Sequence, residues 1–416
     1  MVNDLPVARR VNHETFITGV QMSDIPVQQL SDVMKVERDD LLHESSRPEA
    51  IGPASAHLIA PPASNKRSAT GDTRVPLPYP DGWFRACFSR DLKRGAVLTV
   101  PFMGQQLVLY RTVSGHACAI DPYCPHMGAH LGGGKVQGEE LVCPFHGLAF
   151  GLDGSCLHSG DGASPPSAWL TTRHMREING AVMVWADHQN RPPSWEVPEW
   201  DLSAFAAPPQ HTSQDLDGYC QDTGENSVDL VHFGWLHGLT EPAMTHEAGD
   251  YWFETILTAS WKGQPMRMRM RQIGLGHVQA VSEMTRIGFR LTTMLYSTPT
   301  APMKWTMSWI DMMELGLFER WPMPLRKVAY GVLAPLAKRW LVTFTQADNP
   351  IWNTRAYLDH PRLMRGDKGI AAFRRWATRF YPTRSTDVQG NSNQPIASTE
   401  FMHSPSEIRH STFAKP

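Results

Sequence analysis

Neither sign of charge dominates this sequence: 39 Lys and Arg stand against 41 Asp and Glu, a formal net charge of −2. The broad basic field that draws a protein to nucleic acid is therefore missing. No apolar run approaches the ~20 residues that span a bilayer, so no transmembrane segment is expected. Met1 to Arg10 is polar and lacks the apolar centre of a signal peptide. No Gly-x-Gly-x-x-Gly follows a strand pattern, so the chain is not expected to bind a dinucleotide itself. These absences together describe a soluble, cytoplasmic protein. Cysteine is also scarce, with six in 416 residues: Cys87, Cys118, Cys124, Cys143, Cys156 and Cys220. An even count suits a disulfide framework only in small secreted chains. Here two of the six lie beside histidines at ligand spacing, which points to metal.

What the sequence has is length for two domains and enough apolar residues, 41%, for a sizeable core. Fourteen Trp and twenty Met would suit a large apolar pocket, although most such residues serve ordinary cores. Residues 1–77 read as an irregular arm. Within it Val27, Leu30, Val33, Met34 and Leu41 fit one side of a short helix from Ser23. Ser45 to Pro80 reads as a Pro-, Ala- and Ser-rich linker. Short β-type runs follow, at 96–100, 106–110 and 182–185, with turns at Gly104 and Ser114-Gly115. They predict a small antiparallel β domain over 78–190, closed by the Pro-rich hinge 191–198. Residues 200–382 mix helix and strand: a helix over Glu225–His237, long strands over 251–261 and 286–297, and a helical 326–357 bent at Pro335. The tail, 383–416, reads as disordered. The fold class is α+β.

Two clusters carry the chemistry. The first is Asp121-Pro-Tyr-Cys124-Pro-His126-Met-Gly-Ala-His130-Leu-Gly-Gly-Gly134, followed by Cys143-Pro-Phe-His146-Gly147. Each loop offers one thiolate and one imidazole, and two such loops can enclose a dinuclear cluster. Thiolates suit ferric iron, while two imidazoles on the other iron raise the reduction potential. The competing reading is a structural Cys2His2 zinc site in a zinc-stabilised binding module, but zinc fingers pair Cys with Cys and His with His around a helix. His116, His130 and His158 read as packing or surface residues. The second cluster is Glu225-Asn226-Ser-Val-Asp229-Leu-Val-His232-Phe-Gly-Trp-Leu-His237. Asp229 and His232, at i and i+3, would share a helix face. His237 at i+5 needs a loosened turn or the helix end to converge, and Gly234 permits one. Two imidazoles and a carboxylate make the facial triad of non-haem Fe(II) oxygenases, with open positions for O2 and substrate. A plain Rieske electron carrier would have no use for these residues.

The motifs Cys124-Pro-His126 with Gly128-Ala-His-Leu131, Cys143-Pro-Phe-His146-Gly147, Gly82-Trp83-Phe84 and Phe150-Gly-Leu-Asp153-Gly154 resemble those of Rieske non-haem iron oxygenases, oxygenase component. Asn226-x-x-Asp229-x-x-His232-x-x-x-x-His237 is similar to that family's mononuclear-iron motif. Leu148 is a departure, since relatives commonly have Trp there. The resemblance covers about 78–382. It is strongest to the steroid-active branch, the 3-ketosteroid 9α-hydroxylase oxygenases and cholesterol 7-desaturases, through Asp348-Asn-Pro-Ile-Trp352 and Phe373-Arg-Arg-Trp376. It implies a Rieske β domain joined to a helix-grip (START-like) domain with a curved antiparallel sheet. It implies a [2Fe–2S] cluster on Cys124, His126, Cys143 and His146, and Fe(II) on His232, His237 and Asp348, the last preferred over Asp311 and Asp359. Asp229 and Asn226 are implied as catalytic, Asp229 linking a ligand histidine to a cluster histidine of a neighbouring subunit in a homotrimer. The implied partners are O2, a separate NAD(P)H-fed reductase or ferredoxin, and a bulky apolar substrate to be hydroxylated or desaturated; arylamine N-oxygenation and O- or N-dealkylation also occur in the family. Met- and aromatic-rich strands from Tyr251 to Ser297 would line the pocket, although Met266-Arg-Met-Arg-Met-Arg271 also fits a strand with one core and one wet face. The apolar 328–341 is expected to pack.

Overall fold

The computed structural model describes residues 74–382. The helix expected from Ser23, most of the linker and the tail fall outside the described residues.

The first half is built of β1 (Gly82–Phe88), β2 (Val97–Phe102), β3 (Gln105–Arg111), β4 (Ala117–Ile120), β5 (Lys135–Gln137), β6 (Glu140–Val142), β7 (Ala149–Phe150), β8 (Cys156–His158), β9 (Met175–Ile178) and β10 (Ala181–Ala186). They form three small antiparallel sheets in the orders β1-β10-β9, β2-β3-β4 and β5-β6-β7-β8. The second half holds β11 (Gln210–Asp217), β12 (Thr240–Ala248), β13 (Trp252–Trp261), β14 (Gln264–Ile273), β15 (His277–Met284), β16 (Phe289–Ala301) and β17 (Lys304–Leu315). Strands β12 to β17 run as an antiparallel meander, and β11 adds to its far edge beside β17. The tight joins have the backbone such hairpins need. Met103 and Gly104 between β2 and β3, and Lys262 and Gly263 between β13 and β14, all have φ between 47° and 76°. That left-handed pair matches the right-handed twist of the flanking strands.

Strand periodicity then assigns the two faces of the large sheet. On one face Met294 and Tyr296 of β16 and Ile310 and Met312 of β17 pack on Trp83, Met183 and Trp185 from β1 and β10. On the other, Met307 and Trp309 pack with Leu216, Trp352 and Val342. Polar contacts fasten the small sheets to the large one: Arg85 Nη2 donates to Ser308 Oγ at 2.6 Å, and Thr298 Oγ1 donates to the Arg85 carbonyl at 2.8 Å. The result is one compact unit.

Helices cover the second face, the arrangement of a helix-grip fold. The long helix Met323–Gln346 seats Tyr330 and Ala334 on Met313, Leu315 and Phe318, with Ala329, Leu333 and Ala337 alongside. The helix Lys368–Ala377 buries Phe373 and Trp376 against Val228, Phe253 and Leu275.

Four sequence expectations change. Glu225–His237 is not one helix but two, Asp222–Asn226 and Leu230–Trp235. Between them Asp229 is extended, and its carboxylate accepts the His232 amide at 3.0 Å, so Asp229 caps the second helix rather than sharing a face with His232. The strand expected from residue 286 begins at Phe289, after a turn closed by left-handed Gly288. The helix through Pro335 continues to Gln346 and stops before the short helix Asn349–Trp352, where Pro350 cannot donate back to the preceding turn. Finally, only the inner side of 328–341 packs: Val328, Val332 and Leu336 are exposed.

Candidate active site

The cluster loops are held by their own backbone. The Cys124 amide donates to Ala129 and the Gly128 amide returns to Cys124, while the Cys143 amide donates to Leu148. Cys124 and Cys143 are buried among Leu131, Leu141, Leu148 and Phe150, whereas His126 and His146 lie at the surface with ring centroids 4.8 Å apart. Burial pushes the Cys124 thiol up, and the amides of His126 and Met127, aimed at its sulfur, pull the other way. Sulfur inside, imidazole outside and amide donors on sulfur are what a two-iron, two-sulfide group requires, so the residues fit it. Leu148 packs in the apolar cluster beside Cys124 and Cys143, and its carbonyl holds the Cys143 amide. His130 is a local brace: its Nδ1 accepts the Gly132 amide and its Nε2 meets Gln106. His116 and His158 pair with Glu139 and Glu140.

The second constellation is brought together from two parts of the chain. His232 lies within the helix Leu230–Trp235, and His237 follows just past its end, where left-handed Gly238 turns the chain. The i+5 convergence thus comes from the helix end. His237 stacks on Phe344 of the long helix at 4.4 Å, and that helix delivers Asp348 immediately beyond its C-terminus. His232 Nε2 lies 2.8 Å from Asp348 Oδ1 and 3.0 Å from His237 Nε2, and His237 Nε2 is 3.4 Å from Asp348 Oδ2. A first-row cation with bonds of about 2.1 Å sets adjacent ligands about 3.0 Å apart, so these donors fit one ion. Burial pushes the Asp348 carboxyl up, but the two imidazoles outweigh it and hold the group below the usual carboxylate range. Asn226 Nδ2 donates to Asp348 Oδ1 at 2.9 Å and fixes that carboxylate's rotation. Asp311 and Asp359 do not join this group; Asp311 accepts from Thr293 on the sheet. A second acidic group, Asp81, Asp187 and His188, is already engaged by Arg191.

Sequence reasoning missed the support beneath Asn226. Glu225, buried, receives Arg374 through Nε at 2.8 Å and Nη2 at 2.9 Å, and Arg355 Nη2 at 2.8 Å. Burial raises its carboxyl, and the two guanidiniums more than reverse that. Asp222 beside it lies 3.5 Å from Arg355, and burial pushes it up to about 7. The Phe373-Arg-Arg-Trp376 run was the available signal, but nothing local in sequence pairs Arg374 with Glu225.

The sheet face toward this site is apolar. Leu257, Met270 and Val278 pack with Phe233 and Leu239, and Met266 and Met268 lean on the same group. Arg269 and Arg271, on the opposite face of β14, pair with Glu254. The alternating Met-Arg run therefore has one core and one wet face.

Both halves of the chain are similar to known protein families. Residues 82–167 match the Rieske [2Fe–2S] domain, and residues 184–381 match the 3-ketosteroid 9α-hydroxylase C-terminal domain. The chain belongs to the Rieske non-haem iron oxygenases, as an oxygenase component. Among its relatives, cholesterol 7-desaturase of Xenopus laevis is 28% identical over 391 residues, covering 82% of this chain and 81% of that one. The Bombyx mori cholesterol 7-desaturase is 26% identical over 371 residues, 83% of this chain and 78% of that one. The oxygenase component of 3-ketosteroid-9-alpha-monooxygenase from Rhodococcus rhodochrous is 24% identical over 334 residues, covering 74% and 82%. The fold is shared with dicamba monooxygenase bound to 3,6-dichlorosalicylic acid (TM-score 0.56, 19% identity, 72% of this chain and 96% of that one). It is shared also with Pseudomonas putida CBB5 NdmA with caffeine (TM-score 0.56, 18% identity, 71% and 89%). As a family member the chain is an enzyme that works with a Rieske [2Fe–2S] cluster, a mononuclear iron, O2 and electrons from a separate NAD(P)H-dependent reductase.

Proposed function

We propose that this oxygenase hydroxylates or desaturates a steroid or a similarly bulky, fused-ring apolar molecule. The observation that carries the reading is the meeting of His232, His237 and Asp348 beside the methionine-rich face of the large sheet. The similarity to sterol- and ketosteroid-acting relatives supports the same substrate class.

In this reading Cys124, His126, Cys143 and His146 hold the cluster, and His232, His237 and Asp348 hold the iron. Together these groups supply electron storage and O2 activation when bound. The chain's own residues do the rest. Phe344, stacked on His237, and Asn226, bonded to Asp348, hold two of the three donor side chains in fixed orientations. Met266, Met268, Met270 and Leu257 offer an adaptable apolar wall that orients a rigid ring system and excludes water.

The domains would run over 78–190 and 200–382, and the cytoplasm would be the setting. A homotrimer is the proposed assembly. Tyr123, Met127 and Phe145 form an exposed apolar collar around the cluster loops, while Val231 and Trp235, the latter 90% exposed, stand out from the helix that carries His232. Exposed apolar patches of this kind mark interaction surfaces. Seating one subunit's collar on its neighbour's Trp235 would bring Asp229 to a cluster histidine.

Anaerobically purified protein tests the reading. Three irons and two sulfides per chain are expected, with His232→Ala losing one iron and keeping the cluster's EPR signal. Sterols and ketosteroids, supplied with O2 and a reductase, should give hydroxylated or dehydrogenated products. Two irons per chain, unchanged by that substitution, would remove the assigned iron site; turnover confined to small aromatic amines or ethers would remove the steroid assignment.

A further inference from the structure

The long helix Met323–Gln346 has a feature that the active site does not use. Its inner side is packed, with Tyr330 and Ala334 buried. Its outer side repeats apolar residues at helical spacing, Leu325, Val328, Val332 and Leu336, and these are 55–70% exposed. Trp321 and Leu317, just ahead of the helix, continue the apolar surface. A helix that is apolar on both sides and covered on only one has an uncovered partner surface.

The charges say what kind. Met323–Gln346 contains Arg326, Lys327, Lys338 and Arg339 and no Asp or Glu, in a chain whose net charge is −2. Lys327 and Arg339 are exposed beside the apolar row, and Arg320 is exposed just before it. An apolar row bordered by cations, with a Trp at one end, is the composition of a helix that lies in a bilayer's headgroup plane. Along the helix a second copy of the same face would oppose cations to cations, with exposed Glu319 ahead of it as the acidic exception, and like charges repel across a two-fold contact. No helix of the described residues is long and apolar enough to cross a membrane.

We propose that the outer face of this helix docks on anionic phospholipid bilayers. The helix lies along the surface, with Leu325, Val328, Val332 and Leu336 in the acyl boundary and Lys327 and Arg339 among phosphates. Because the same helix ends beside Asp348 and stacks Phe344 on His237, docking sets the iron site close to the lipid phase. Direct collection of a membrane-dissolved substrate would additionally rest on the steroid reading; the docking itself does not.

The test uses the full-chain holoenzyme and no substrate, so its failure is separate from failure of the steroid assignment. Co-sedimentation is measured with phosphatidylcholine vesicles, with and without phosphatidylglycerol, at low and high salt. Binding is expected only with phosphatidylglycerol and should weaken with salt. Lys327→Glu and Arg339→Glu should each cut partitioning by about fivefold or more. Val328→Glu/Val332→Glu should abolish it, with the cluster's visible spectrum confirming folding. If that pair fails to fold, Leu325→Gln/Leu336→Gln replaces it. Wild type left in the supernatant with anionic vesicles overturns the proposal. So does vesicle binding unchanged by the substitutions, or a vesicle-inert oligomer that these substitutions dissociate, which would assign the face to a second copy.

Discussion

Replacing Arg374 by Ala strikes the support under the iron site without touching a ligand. The substitution deletes two charge-assisted bonds to Glu225 at 2.8 and 2.9 Å, a bond from Nη1 to the Leu358 carbonyl at 2.6 Å, and the guanidinium placed 4.3 Å from the Tyr357 ring. Glu225 is 4% exposed and would retain only Arg355 among its two guanidinium partners. Breaking a buried ion pair on one side costs about 3–5 kcal/mol, and the surviving Arg355 places this case near ~3 kcal/mol. An unfolding entropy of about 2.1 cal/mol/K per residue over roughly 300 residues converts that to a fall in Tm of about 5 °C. Glu225 adjoins Asn226, so the loss should also weaken iron retention at the mononuclear site. Thermal melts followed by circular dichroism, with iron counts before heating, measure both. Arg374→Lys should rescue little, because a single ammonium cannot reproduce the forked contact. A double-mutant cycle with Glu225→Gln should give a coupling energy above ~1.5 kcal/mol. A melt within ~1 °C of wild type, with full iron, would refute the claim that this pair holds the site.

Asp222 gives a pH signature. Burial raises its folded pKa to about 7, with Arg355 opposing. Relative to the unfolded carboxyl, its contribution is fully favourable below about pH 4 and is lost as pH rises through about 7. Asp222→Asn should therefore flatten the fall in stability over that window, and melts at pH 5 and pH 8 check it. Trp235→Glu should dissociate the proposed trimer by light scattering and slow reduction of the iron by the cluster, with iron and sulfide contents unchanged.

How much of this was legible in the sequence depended on distance along the chain. Cys124 with His126 and Cys143 with His146 announce themselves because each pair sits in one loop. His232 and His237 lie five positions apart and read almost as plainly. Asp348 had no local signal and entered only through the resemblance, because its neighbours in space are more than a hundred residues away in sequence. The same reason hid the pairing of Glu225 with Arg355 and Arg374. The break at Asp229 was misread because an i, i+3 spacing was taken as a shared helix face, while a capping carboxylate stops a helix from extending backward. The alternation in β14 indicated its two faces correctly. The long helix was harder: Val328 and Tyr330 are both hydrophobic, yet one is 70% exposed and the other fully buried. Composition does not say which side of a helix finds a partner.

The packing of Trp83, Met183 and Trp185 onto Met294, Tyr296, Ile310 and Met312 bears on how this enzyme could be taken apart or rebuilt. Those seven side chains form one cluster across both halves, so each half, although it has interior clusters of its own, would leave this one open when alone. Cut free, the redox half would present its side of this cluster to water, and the large sheet would do the same. Heating should accordingly bleach the cluster and melt the sheet in a single cooperative step. Chimaeras that exchange the electron-transfer half between relatives would have to carry over both sides of this seam.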